Sequence, residues 1–162
     1  MMNKPIAHKS GIILTGVTTR TTNAEEAGPD GRLPKLWETY FQNSAALQAC
    51  SSRPEYIYSL YTDYESDASG EYTVLIGHEV KEGTPLREDA AFKQAVVPES
   101  EYLVFTSKKG PISEVVLQVW VEIWEYFKGS KEVRTYTGDF ELYKANGFDP
   151  ANAEVQIYIA IK

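Results

Sequence analysis

The order strand, helix, strand, strand is written twice along this chain, and that repetition narrows the possible folds more than any other feature. In the first copy, residues 9–22 carry the β-branched residues of a strand and a polar, Gly-containing connection covers 23–31. From Pro34 the apolar residues Leu36, Trp37, Tyr40, Phe41 and Leu47 recur near helical spacing, and Pro34 suits a first helical turn, where a missing N–H costs nothing. Two strands follow, 56–64 and 71–80, joined by the acidic turn 65–70 and expected to pair as a hairpin. After a looser stretch over 81–98 the order repeats: strand 101–107, helix 111–127, strand 135–143 and strand 154–161. The second helix again opens on a proline soon after a glycine, and it carries Val115, Val116, Val119, Trp120, Ile123, Trp124 and Phe127 along an apolar stripe.

A βαββ unit on its own leaves one sheet face bare, so two such units must cover each other. The expectation is an α+β fold of duplicated βαββ modules with pseudo-two-fold symmetry, an antiparallel sheet and two helices. The repeats span about residues 8–80 and 99–162 of a single domain over 1–162.

Composition rules out several classes of function. With 162 residues, 43% of them hydrophobic and 24% charged, the chain can bury a real core. A net charge of −7, with basic clusters no longer than Lys108-Lys109, argues against direct nucleic-acid binding, which needs clustered Lys and Arg. Ile12-Ile13-Leu14 is too short for a signal sequence or a membrane span, so a soluble, cytoplasmic protein is expected. The lone Cys50 cannot form an internal disulfide, and His8 and His78 have no Cys or His partner at ligand spacing, so neither a metal nor a cofactor is expected. The acidic run Asp63-Tyr64-Glu65-Ser66-Asp67 invites a calcium reading, but Ala68 and Val74 stand where a calcium loop needs Gly and Glu. A solvated hairpin turn remains.

One carboxylate stands out. In Asp139-Phe140-Glu141-Leu142-Tyr143 the strand alternation points Asp139, Glu141 and Tyr143 one way and Phe140 and Leu142 the other. A mid-strand carboxylate among aromatics is costly to bury unless something positive meets it.

The layout and several short runs resemble the GyrI-like, or AraC-type effector-binding, family. The resemblance is carried by Leu36-Trp37, by Tyr61-Thr62-Asp63-Tyr64-Glu65-Ser66-Asp67 with Gly70-Glu71-Tyr72-Thr73, and by Ile76-Gly77. In the second half it rests on Tyr102, Phe105, Gly110, Trp120 and the strand 139–143, so it runs through almost the whole chain. It implies a central ligand cleft between the repeats that takes small cationic or amphipathic aromatic molecules, with a glutamate on the penultimate strand facing the ligand. Glu141 falls at that position. Many members are fused to a DNA-binding helix-turn-helix, whereas this chain resembles a free-standing module of the kind carried on integron cassettes. Ser59 departs from the family's glycine, which implies a slightly narrower cleft.

Glu141 is therefore the first candidate for ligand binding, with Trp120, Trp124 and Tyr143 beside it; flat rings stack on planar ligands and attract cations. Tyr58, Tyr72 and Phe105 follow, the first two with their sheet face undecided because register cannot be read locally. The leading expectation is a binding module for sensing or sequestration. One alternative is a hydrolase with Glu141 as general base, although no Ser-His-Asp or Cys-His arrangement offers a nucleophile and no catalytic residue is nominated. Another is an acidic protein that inhibits a partner such as DNA gyrase.

Overall fold

Eight strands form one antiparallel sheet in the computed structural model, which describes residues 5–29, 31–66, 69–81, 83, 92–145 and 147–162. In chain order these are β1 (Ile6–Lys9), β2 (Ile12–Thr21), β3 (Tyr56–Thr62), β4 (Tyr72–Val80), β5 (Lys93–Val97), β6 (Ser100–Thr106), β7 (Gly138–Lys144) and β8 (Gln156–Ile161). The helices are α1 (Asn23–Glu26), α2 (Leu33–Cys50) and α3 (Ile112–Lys128). The strands lie in the order β1-β6-β8-β7-β3-β4-β2-β5. Each repeat thus reads first, third, second strand from the edge inward, and the two second strands, β3 and β7, pair antiparallel at the centre. That pairing is the pseudo-two-fold relation expected of a duplication.

The outer strands are exchanged between the repeats. β1 immediately precedes β2 but pairs with β6, while β5 immediately precedes β6 but pairs with β2. Only Ser10 and Gly11 separate β1 from β2, a link that reaches about 11 Å at most, yet the two strands stand near opposite ends of the sheet order. The sheet must curl until those ends approach. Gly11 turns the chain there with φ of 69°, a conformation that glycine adopts freely. A second glycine device lies where β2 and β4 close on each other: Gly16 pairs with Gly77, and a Cβ on Gly77 would stand 1.9 Å from the Thr15 carbonyl oxygen.

Both long helices cover one face of the sheet. Leu36, Tyr40 and Leu47 of α2 and Val115, Val119 and Ile123 of α3 are buried, and most of them pack with Val74, Ile76, Ile157 and Ile159. The other face holds a second cluster built on Leu14, Tyr58, Leu60, Leu75, Phe140 and Tyr158, with Phe140 and Tyr158 stacked at 4.5 Å.

Most expected elements are present within a few residues, and the hairpin of β3 and β4 forms. Three elements correct the sequence reading. The connection over 23–31 contains α1, a strand β1 precedes β2, and the stretch read as loose contains β5. Most of the rest of that stretch, residues 82 and 84–91, lies outside the described residues, as do Asp67 and Ala68 of the acidic turn. β7 begins at Gly138 rather than 135, because Tyr136 sits at φ of 54° and cannot continue a strand.

Candidate functional site

Between α2, α3 and the sheet lies a half-open cavity of about 580 Å³, a volume suited to a drug-sized molecule. Its walls are laid out by helical spacing. On α3, Val116, Trp120 and Trp124 recur every fourth residue, one position on from the buried ridge of Val115, Val119 and Ile123. On α2, Pro34, Trp37 and Phe41 likewise flank the buried Leu36 and Tyr40. Each helix therefore turns one ridge to the core and the adjacent ridge to the cavity.

The floor is the central pair of strands. Ser59 stands opposite Glu141 and Tyr61 opposite Asp139, so these side chains share the helix-covered face. Glu141 is only 2% exposed. Its Oε2 accepts hydrogen bonds from the Tyr61 hydroxyl at 2.7 Å and the Trp120 indole N–H at 2.8 Å, and its Oε1 accepts one from the Tyr143 hydroxyl at 2.6 Å. All three donors are neutral. Burial raises the Glu141 pKa above the usual carboxylate range, and the three hydrogen bonds only partly oppose it. The phenols of Tyr61 and Tyr143 are driven well above their ordinary range, first by burial and then by the carboxylate, so they remain donors.

The other charges at the cavity are already committed. Arg134 lines the wall, but its guanidinium donates to Asp139 at 2.8 Å with both side chains buried. Asp139 also accepts from the Tyr64 hydroxyl at 2.5 Å and from the Ala160 amide at 2.9 Å. Glu26, at the cavity's edge, accepts from the amides of Arg32 and Leu33 and so caps the start of α2. Among the described residues, Glu141 has no cation beside it. The cavity is thus an aromatic box with one unneutralised carboxyl group in its floor.

The rings around it are locked against one another. Trp120 meets Tyr61 edge-on at 5.5 Å, and Trp37 meets Tyr143 edge-on at 5.3 Å while lying parallel to Phe148 at 6.4 Å. Tyr72 lines the cavity and donates to Asn23 of α1 at 2.8 Å, which gives the short helix its place at one end.

Of the residues singled out from sequence, the cavity brings together Glu141, Trp120, Trp124, Tyr143 and Tyr72. Two others lie elsewhere. Tyr58 is opposite Leu142 on the far face of the sheet and lines a different groove. Phe105 shares the helix-covered face but is fully buried beneath α3 against Tyr126 and Phe127. Ser59 is buried next to Glu141 and is not among the residues that line the cavity. Sequence reasoning missed Tyr61 and Trp37, although both stand in the runs that carry the family resemblance, and Phe41, which lay in the helical stripe. It also missed Phe148, which sits in an irregular loop and carries no periodic signal. Among the described residues no cluster of His, Cys, Asp and Glu is placed to hold a metal ion, and no helix is long and apolar enough to cross a membrane.

Comparison with known proteins places this geometry in company. Residues 6–161 match the family model described as integron-associated effector binding protein. A Bacillus subtilis (strain 168) protein, YobU, provisionally named a transcriptional regulator, is 39% identical over 160 residues, covering 97% of this chain and 96% of the relative. The crystal structure of the integron cassette protein VCH_CASS2, from the mobile metagenome of Vibrio cholerae, is 30% identical with a TM-score of 0.78 and covers 99% of this chain and 96% of that one. The structure of SAV2435 bound to tetraphenylphosphonium shares the fold at 20% identity, with a TM-score of 0.77 over 99% of this chain and 94% of that one.

Proposed function

The chain belongs to the integron-associated effector-binding protein family, and on that footing we propose that it binds organic cations with aromatic or amphipathic bodies in the cavity above Glu141. The observation that carries this reading is the buried carboxyl group held by three neutral donors inside an aromatic box. A monovalent cation supplies the charge that the cavity lacks. Rings such as Trp120, Trp124 and Trp37 add roughly 0.5–2 kcal/mol each where a cation lies over a face, and more by stacking. The likeness to SAV2435, whose solved ligand is a bulky aromatic phosphonium ion, supports the ligand class. The name of the Bacillus subtilis relative supports a role in sensing, and sequestration by the free domain uses the same chemistry.

The test is calorimetric titration of wild type and Glu141→Gln with tetraphenylphosphonium and with neutral triphenylphosphine oxide. The expected result is cation-selective binding that the substitution weakens by about 1.5–3 kcal/mol, the worth of a charged contact. Equal affinity of the two proteins for the cation, or equal affinity of wild type for cation and neutral compound, overturns the proposal.

A further inference from the structure

A second groove, of about 500 Å³, opens on the opposite side of the central strands, and its chemistry is the reverse of the first. Lys9, Arg53, Lys109 and Lys144 line it, against the carboxylates of Asp149 and Glu154. The chain as a whole carries a net charge of −7, so a local excess of cations runs against its composition. Within the described residues none of Arg53, Lys109 and Lys144 forms an ion pair, and the Lys9 ammonium is held over the Tyr158 ring at 5.5 Å. Four cations against two carboxylates leave the groove with an excess of positive charge, which favours an anion.

Tyr58 offers the groove a hydroxyl donor. The residue is only 6% exposed and lines the groove, and among the described residues its hydroxyl has no hydrogen-bond partner. Its oxygen keeps contact with solvent at the groove, so an anion bound there takes the place of water on the hydroxyl. The phenol is also held above its ordinary range, chiefly by burial, so it stays a donor. Nearby, Tyr158 already donates to Gln156, and Asn152 adds an amide to the rim.

We infer that this groove is a second binding site, for a small organic anion bearing two or more oxyanion groups. The cations at the rim meet the negative charge, and the Tyr58 hydroxyl donates to an oxygen at the floor. Tyr143 and Phe148 stand in the walls of both cavities, so the two sites lie back to back. The shared chemistry of a phosphate ester and a polycarboxylate fits equally, and the probes separate them.

The experiment is calorimetric titration of the whole chain at low ionic strength with inorganic pyrophosphate, with citrate, and with acetate as a monovalent control. One multivalent probe is expected to bind at a single site, with acetate at least tenfold weaker, and preference between pyrophosphate and citrate identifies the oxyanion class. The double variant Arg53→Gln with Lys144→Gln, both exposed and outside the core, is expected to weaken that binding at least tenfold without changing thermal stability by more than a degree or two. Tyr58→Phe is expected to weaken it several-fold while leaving cation binding in the first cavity intact. Glu141→Gln leaves anion binding unchanged, so failure of this site and failure of the cation reading are told apart. Absence of binding by both multivalent probes, binding indifferent to the double variant, or capture of an acidic peptide or single-stranded DNA with neither small anion bound, overturns the assignment.

Discussion

In the empty cavity the ionised form of Glu141 gives up water and receives three neutral donors, and burial outweighs them, so its pKa sits above that of a free carboxylate. Such a group holds its proton more tightly folded than unfolded. Its contribution to stability is complete below the unfolded value of about 4.3 and is lost as pH rises through the folded value. Glu141→Gln removes the charge but keeps the shape: the amide oxygen can accept from Tyr61 and Trp120, and the amide N–H can donate to the Tyr143 oxygen. The empty variant is therefore expected to melt above wild type at pH 8, with the gap closing toward pH 4. Differential scanning calorimetry across that range checks it; a gap that does not change with pH would place the ionisation elsewhere. The same ionisation sets ligand binding, since a cation needs the deprotonated form. Affinity for tetraphenylphosphonium should rise with pH through the Glu141 pKa and then level off, and a flat profile in Glu141→Gln is the control.

The apolar stripe of α3 is two ridges with different duties. Val115, Val119 and Ile123 are buried, whereas Trp124 is 40% exposed at the cavity mouth beside Leu117. The stripe was legible from sequence because hydrophobic residues recur at three- and four-residue intervals. Its division was not, since periodicity reports which residues avoid water and not whether a sheet or an empty space faces them. The division predicts a separation of effects. Ile123→Ala should cost about 2–5 kcal/mol of stability by leaving a hole in the core. Trp124→Ala should change stability little and weaken aromatic cations by about 1 kcal/mol. Urea unfolding paired with calorimetric titration reads both; a large loss of stability in Trp124→Ala would mean that this residue belongs to the core instead.

At the scale of the molecule the cavity exists because the sheet curls. The exchanged strands β1 and β5 tie each repeat to the other, and the Gly16–Gly77 contact lets β2 and β4 approach as the curl requires. A methyl group on Gly77 would stand 1.9 Å from the Thr15 carbonyl oxygen, on backbone that cannot move aside cheaply. Gly77→Ala is expected to cost about 3 kcal/mol or more, while Gly129→Ala, where a Cβ would meet nothing within 4 Å, should stay within about 1 kcal/mol of wild type. Denaturant midpoints with unchanged slopes would establish this, and equal stability of the two variants would contradict the close approach.

Much of this protein was fixed by local chemistry. Helical spacing after Pro34 and Pro111, β-branched alternation and the Gly-rich turns determine two long helices and six of the strands, and alternation alone puts Asp139, Glu141 and Tyr143 on one face. What the sequence left open depends on partners distant along the chain. The register of β3 on β7 sends Tyr58 to one face and Tyr61 to the other, and nothing within β3 distinguishes them. The edge strands β1 and β5 are short and draw their hydrogen bonds from the opposite repeat, so they leave no local signature. Arg134 satisfies Asp139, and among the described residues no cation is then left beside Glu141. Charge neutralisation and strand register are properties of the assembled sheet, and only the tertiary structure decides them.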